Sequence, residues 1–204
     1  MRRKRKIRHK RRIFFRKFLL VIILSIVSFK SYSFYYTNYY ITRNKDLLRD
    51  KIYAFLQTKQ NRETVYSNSI KLNNGESANT CVYFVSEVLR ENDYKVPKDM
   101  ANISNFLDFL EKRNWKKNFD YKQLKPGNIC FSTDESGNKY GIPTHTYIFM
   151  GWVNDGSYDY AYICDNQAKD YQNKIYHIRN INCKDTVNGF EKDAFSFFME
   201  WHVI

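Results

Sequence analysis

Four histidines occur in the 204 residues, so the search for an acid–base group is short. His9 lies in a basic N-terminal run, His202 is two residues from the C-terminus, and His177 sits between Tyr176 and Ile178 in a strand-like stretch. His145 differs from these. It follows Ile142-Pro143-Thr144 and heads an apolar run, and a polar side chain at a strand mouth beside a loop is well placed for chemistry. Cys81 is the matching candidate nucleophile. It opens the run CVYFVSEVL, and Thr80 before it suits a helix N-cap. Unpaired N–H groups and the dipole at a helix start favour a thiolate and can also donate to an oxyanion. A cysteine there within about 3 Å of an imidazole is the minimal apparatus of a cysteine hydrolase. The competing reading is a buried core cysteine.

The run beginning at His145 reaches a turn at Asn154-Asp155-Gly156, and the next strand ends in Cys164-Asp165-Asn166-Gln167. Two antiparallel strands joined by that turn return 165–167 to the side of His145. Asp165 or Gln167 could then accept from the imidazole and hold its tautomer. Asp165 is preferred because a carboxylate also stabilises an imidazolium; a solvated turn residue is the alternative. No metal or cofactor is expected, since the sequence has no H-E-x-x-H, no histidine pair at i, i+4 and no C-x-x-C. Cys130 and Cys164 are flanked by strand-like core residues. A bridge between them would need neighbouring strands; the expected state is four thiols, with Cys81 the most exposed and most reactive.

The elements that must carry these groups follow from periodicity. Residues 46–60 and 103–113 have apolar positions at helical spacing, the second with Asn102 as its cap. Residues 61–80 are polar and read as turn or loop, and 81–89 as a buried helix. Beyond residue 124 the period becomes that of strands: 128–132, 144–152, 158–164 and 174–178, with a last amphipathic stretch over 194–201. Helices followed by antiparallel strands make an α+β domain.

The order of these signals resembles the NlpC-type and CHAP families of papain-like cell-wall hydrolases. The matching stretches are Cys81-Val82-Tyr83-Phe84-Val85, Leu124-Lys125-Pro126-Gly127-Asn128, His145 through Gly151, and Asp165-Asn166-Gln167, together spanning roughly residues 76–180. Asn128 stands where these families have Asp after the Pro-Gly turn, and Asp165 and Gln167 where the CHAP branch tends to have Glu and Asn; Tyr66 and Gly75 receive no role. The resemblance implies a papain-like α+β fold, with N-terminal helices on a small antiparallel sheet. It implies hydrolysis of a peptidoglycan amide, by an endopeptidase or an N-acetylmuramoyl-L-alanine amidase, with Cys81, His145 and Asp165 or Gln167 as the catalytic set. The alternative is an inactive module that binds cell wall or a partner protein.

The net charge of +13 is confined to one end: residues 1–43 hold 13 of the 34 Lys and Arg and no Asp or Glu, leaving 21 basic and 21 acidic residues beyond them. The neutral domain has no basic footprint, and nucleic acid is not an expected partner. Phe18 to Phe29 carries no charge. Twelve residues fall short of the roughly 30 Å of a bilayer core, but extension to Ile13 or Tyr36, with Lys30 snorkelling, reaches it. The aromatic cluster from Tyr32 to Tyr40 suits the outer interface. The expected organisation is a basic cytoplasmic tail (1–17), a signal anchor and single transmembrane helix (18–40), a helical linker and domain entry (41–75) and the hydrolase-like domain (76–204) outside the cytoplasm. A cleaved segment would make it secreted instead. Expected partners are the membrane, peptidoglycan and proteins of an envelope assembly. Lys and Arg before residue 18 should stay inside. A reporter fused after residue 60 should therefore be active only on the outer side; cytoplasmic activity would overturn this topology.

Overall fold

The computed structural model describes residues 2–202, with side chains from residue 14 onward except at 38, 40–42, 44 and 45. The basic side chains of Arg2 to Arg12, the ring of Tyr40 and the outermost ends of the 1–17 and 76–204 segments lie outside the described residues. The chain divides into two units after Arg43, and helix α1 (Arg2–Gln57) contributes to both. In the first unit, Phe14–Thr37 is long and apolar enough to cross a membrane, and none of that stretch is buried in protein. Exposed apolar side chains from Phe14 to Phe29 suit hydrocarbon rather than water. The hydroxyl of Ser25 donates to the carbonyl of Val21 at 2.8 Å, so it brings no unpaired donor into that stretch.

The second unit begins at Asn44. Within it, Leu48, Ile52 and Leu56 recur every fourth residue on one face of α1 and are buried in the core. This segment, read from the sequence as a helical linker and domain entry, packs within the second unit. A break at Thr58 separates α1 from α2 (Lys59–Leu72). Asn61 and Arg62 close the break by donating to the last carbonyls of α1, at Phe55, Leu56 and Gln57. The polar stretch expected as loop is thus mostly helix. Its buried stripe is narrow, Val65 and Ser69 only, so composition concealed a helix that forms by packing against α3.

Helix α3 (Cys81–Glu91) is nearly all buried because it is covered by α2 on one side and by the sheet on the other. Helix α4 (Ile103–Glu111) starts at Asn102, whose side-chain oxygen accepts from the N–H groups of Ser104 and Asn105 as expected of a cap. The strands are β1 (Trp115–Asn118), β2 (Ile129–Ser132), β3 (Thr146–Trp152), β4 (Tyr160–Cys164), β5 (Tyr176–Asn180), β6 (Asp185–Val187), β7 (Phe190–Lys192) and β8 (Phe195–Trp201). Six form one antiparallel sheet in the order β1-β8-β2-β3-β4-β5, and β6-β7 is a separate hairpin. The domain is α+β. The last stretch, β8, runs between β1 and β2, inside the sheet rather than at its margin.

Both faces of the central strands are covered. Along β3, Ile148 and Met150 join the helices' core while Tyr147 and Phe149 enter a second cluster with Ile163, Phe195 and Phe198. The turn into β2 has Pro126 and Gly127 at its centre; the N–H of Asn128 donates to the Lys125 carbonyl at 3.1 Å, and the Asn128 side chain accepts from the Lys125 N–H at 2.7 Å. The Asn128 amide oxygen thus closes the turn. Gly127 has a φ of +93°, and a Cβ there would lie 2.1 Å from the Arg49 carbonyl oxygen. Gly127→Ala should therefore lower stability by about 2 kcal/mol or more in urea unfolding. An unchanged midpoint would show that α1 and this turn are not in contact.

Candidate functional site

The site is assembled where the start of α3 meets the ends of β3 and β4. Cys81 is the first residue of α3, and Thr80 occupies the N-cap position without making a side-chain cap bond. The Thr80 hydroxyl instead donates to the Ser77 carbonyl at 2.9 Å and accepts from the Asn166 amide at 3.0 Å. That second bond ties the helix start to the segment after β4. It also leaves the first backbone N–H groups of α3 without a threonine cap.

His145 is held from its backbone. Its N–H donates to the Ser132 hydroxyl at 3.0 Å, and its carbonyl accepts from the Ser132 N–H at 3.0 Å. Ser132 in turn meets the Thr144 hydroxyl at 2.8 Å, and Thr144 donates to Asp193 at 2.6 Å. The imidazole lies against the ring of Tyr147, with centroids 6.1 Å apart. Its Nε2 faces Asp165 Oδ2 at 2.8 Å. A carboxylate only accepts, so Nε2 carries the proton and Nδ1 is left to face elsewhere. Cys81 is close enough to the ring to be among the groups that raise its affinity for a proton.

Asp165 is fully buried, not solvated. Its Oδ1 accepts from the Gln167 N–H at 2.8 Å, the arrangement of an Asx turn. Gln167 therefore reaches the site through its backbone, while its side-chain oxygen is buried with no hydrogen-bond partner. Burial would lift the Asp165 carboxyl, but the charge available on His177 and the bond and charge of His145 hold it well below the usual carboxylate range. For His145 burial disfavours the charged ring, yet Asp165 and then Cys81 outweigh it and the pKa is raised. The two shifts reinforce each other, each group stabilising the charged form of its partner.

The four cysteines are free thiols. Cys183 is the exposed one and Cys81 is nearly buried, which corrects the expectation that Cys81 would be most exposed; the reason is that α2 and the sheet cover α3 from its first residue. Cys130 packs on one face of the sheet and Cys164 on the other, so no bridge between them forms. Burial pushes both of their thiols up, away from reactivity.

One residue of the neighbourhood escaped the sequence reading. His177 pairs with Ile163 across β4 and β5, which puts its ring on the face of Asp165, two residues along. Its Nε2 is 3.8 Å from Asp165 Oδ1. The alternation of β5 could have located it once the β4–β5 register was known, but the register is not written in either strand alone. Among the described residues no cluster of histidine, cysteine or carboxylate groups could hold a metal ion. No protein-family model matches the chain, and no curated protein or solved structure does.

The coupled shifts predict a pH window. The lowered Asp165 contributes stability above its unfolded value of about 3.9, lost as pH falls through the folded value; the raised His145 contributes below about 6.5, lost as pH rises through its folded value. Asp165→Asn should cost about 3 kcal/mol, with the largest difference from wild type between about pH 4 and 6.5. Thermal unfolding across pH would check this, and a difference independent of pH would overturn the pairing.

Proposed function

We propose that this protein is a membrane-anchored cysteine hydrolase that cleaves an amide bond in peptidoglycan, with Cys81 as nucleophile, His145 as base and Asp165 as orienting residue. The observation that carries the reading is the buried Asp165 bonded to His145 Nε2, which leaves Nδ1 as the accepting ring nitrogen, with Cys81 among the groups that raise the ring's affinity for a proton. His145 accepts the Cys81 proton at Nδ1 and the thiolate sulfur attacks the amide carbonyl carbon. Backbone N–H groups at the start of α3 stabilise the oxyanion. The C–N bond then breaks, the leaving amine takes the proton from His145, and water activated by His145 hydrolyses the thioester to return the free thiol.

The substrate class rests on the resemblance to NlpC-type and CHAP domains and on the charge step before the apolar helix, which would keep the basic tail in the cytoplasm and the domain outside. A Cys-His-Asp set alone serves many acyl transfers. The near burial of Cys81 favours one second reading, an extracytoplasmic module that binds wall polymer or a partner without cutting it. Labelling of Cys81 by a thiol reagent at neutral pH separates the two, since a core cysteine does not react in the folded state.

Purified peptidoglycan incubated with the protein should yield new fragments by mass spectrometry, whose masses identify the bond cut. Cys81→Ala should lower that rate about 10⁴-fold or more, while changing stability by less than about 1 kcal/mol. Retained cleavage by this variant would end the hydrolase reading.

A further inference from the structure

Asp165 faces two histidines, one on each oxygen. His145 Nε2 bonds Oδ2 at 2.8 Å, and His177 Nε2 lies 3.8 Å from Oδ1. The second distance is within reach of an ion pair but too long for a hydrogen bond, and His177 Nε2 is buried without a partner. The tautomer explains the gap. His177 Nδ1 is 3.0 Å from the Lys174 carbonyl oxygen, which can only accept, so Nδ1 carries the hydrogen. In the neutral ring Nε2 is then a bare lone pair directed at a carboxylate. A proton on Nε2 would convert that repulsion into a charge-assisted hydrogen bond to Oδ1.

We propose that His177 is a pH-sensing positioning residue: on acidification it takes a proton, binds Asp165 Oδ1 and draws the carboxylate's charge away from His145, lowering the reactivity of Cys81. The proposal rests on the hydrolase reading of the site. It concerns the carboxylate's second oxygen, which the Cys81–His145–Asp165 chemistry leaves unused apart from the Gln167 N–H.

The surroundings support two states. The Tyr171 ring stacks on His177 at 3.5 Å and fixes its plane. Asp170 and Lys174 line with them a cleft of about 480 Å³ that borders the otherwise covered ring. Asp170 is neutralised by Lys192 at 2.6 Å. Arg179, two residues along β5, adds a positive charge, and His145 adds another when charged; both oppose a proton on His177, while Asp165 favours it. Burial outweighs Asp165 and the His177 pKa is lowered, so the ring is neutral at pH 7 and the switch lies on the acid side. Protonation of His177 and of His145 are mutually opposed, because two cations then share one carboxylate.

The test uses the full chain in detergent micelles. The rate of Cys81 alkylation by iodoacetamide, followed on the Cys81 peptide by mass spectrometry to exclude Cys183, is measured from about pH 4.5 to 9, and the ¹⁵N resonances of His145 and His177 are titrated. In wild type the rate should fall as His177 protonates. In His177→Gln the acid limb should move down by about one pH unit, with less than about a twofold change at pH 8. A limb unmoved in His177→Gln, with Cys81 still reactive, overturns the coupling and leaves the hydrolase reading standing. An unreactive Cys81 at every pH in wild type removes the hydrolase reading and the coupling with it. If the variant does not fold, the wild-type titration decides: Nε2 of His177 passing from bare to protonated, with the His145 resonance moving in the same step, supports the switch. A proton on Nε2 at pH 8, or a His145 resonance indifferent to that step, overturns it.

Discussion

A carboxylate with no exposed surface has to be compensated on both oxygens, and much of this domain's layout serves that need for Asp165. The Gln167 N–H meets one oxygen through a local turn, and His145 meets the other across the sheet. Each donor depends on a different element. The turn requires β4 to end at Cys164, and the imidazole requires β3 to begin beside it, in antiparallel register. The neighbouring Asn166 then reaches to Thr80 and sets the start of α3 against the same point. One buried charge thereby aligns two strands and a helix that are far apart in sequence.

The packing makes that alignment rigid. The central strands are covered on both faces, and α3 is enclosed between α2 and the sheet, so Cys81 is presented by an element with little freedom to shift. The same enclosure explains the low exposure of Cys81. In the proposed hydrolase, substrate would have to approach Cys81 over the helix start rather than along an open face. The polar groups beneath the site are also buried. Arg179 donates to the Asp193 carbonyl and lies under the Tyr147 ring, on the face that carries His145 and His177. This layer gives the site a polar floor, in contrast to the apolar core beneath α3.

Much of the domain was legible from local signals. The α3 start at Cys81, the Asn102 cap, the Pro126-Gly127 turn and the strands before and after Asn154-Asp155-Gly156 each rest on residues within a few positions of one another. The errors have a common cause. Helix α2 has a stripe only two buried residues wide, and its stability comes from α3, which lies later in the chain. The depth to which α1 from Leu48 to Leu56 enters the core was hidden for a similar reason, since its partners, including Trp115 and Met199, are distant in sequence. Strand β1 is four residues long, and β6 and β7 three each, too short for alternation to rise above composition.

Charge, hydropathy and helix or turn signals are properties of neighbouring residues, so the apolar segment, the separation of its basic flank from a neutral domain, and the candidacy of Cys81, His145 and Asp165 can be read along the chain. Folding alone brings Asp165 rather than the Gln167 side chain to the imidazole, covers Cys81 while leaving Cys183 exposed, and sets His177 by the carboxylate's other oxygen. Those outcomes depend on register between strands and on which surfaces a helix packs against, and both are settled by contacts between residues far apart in the chain.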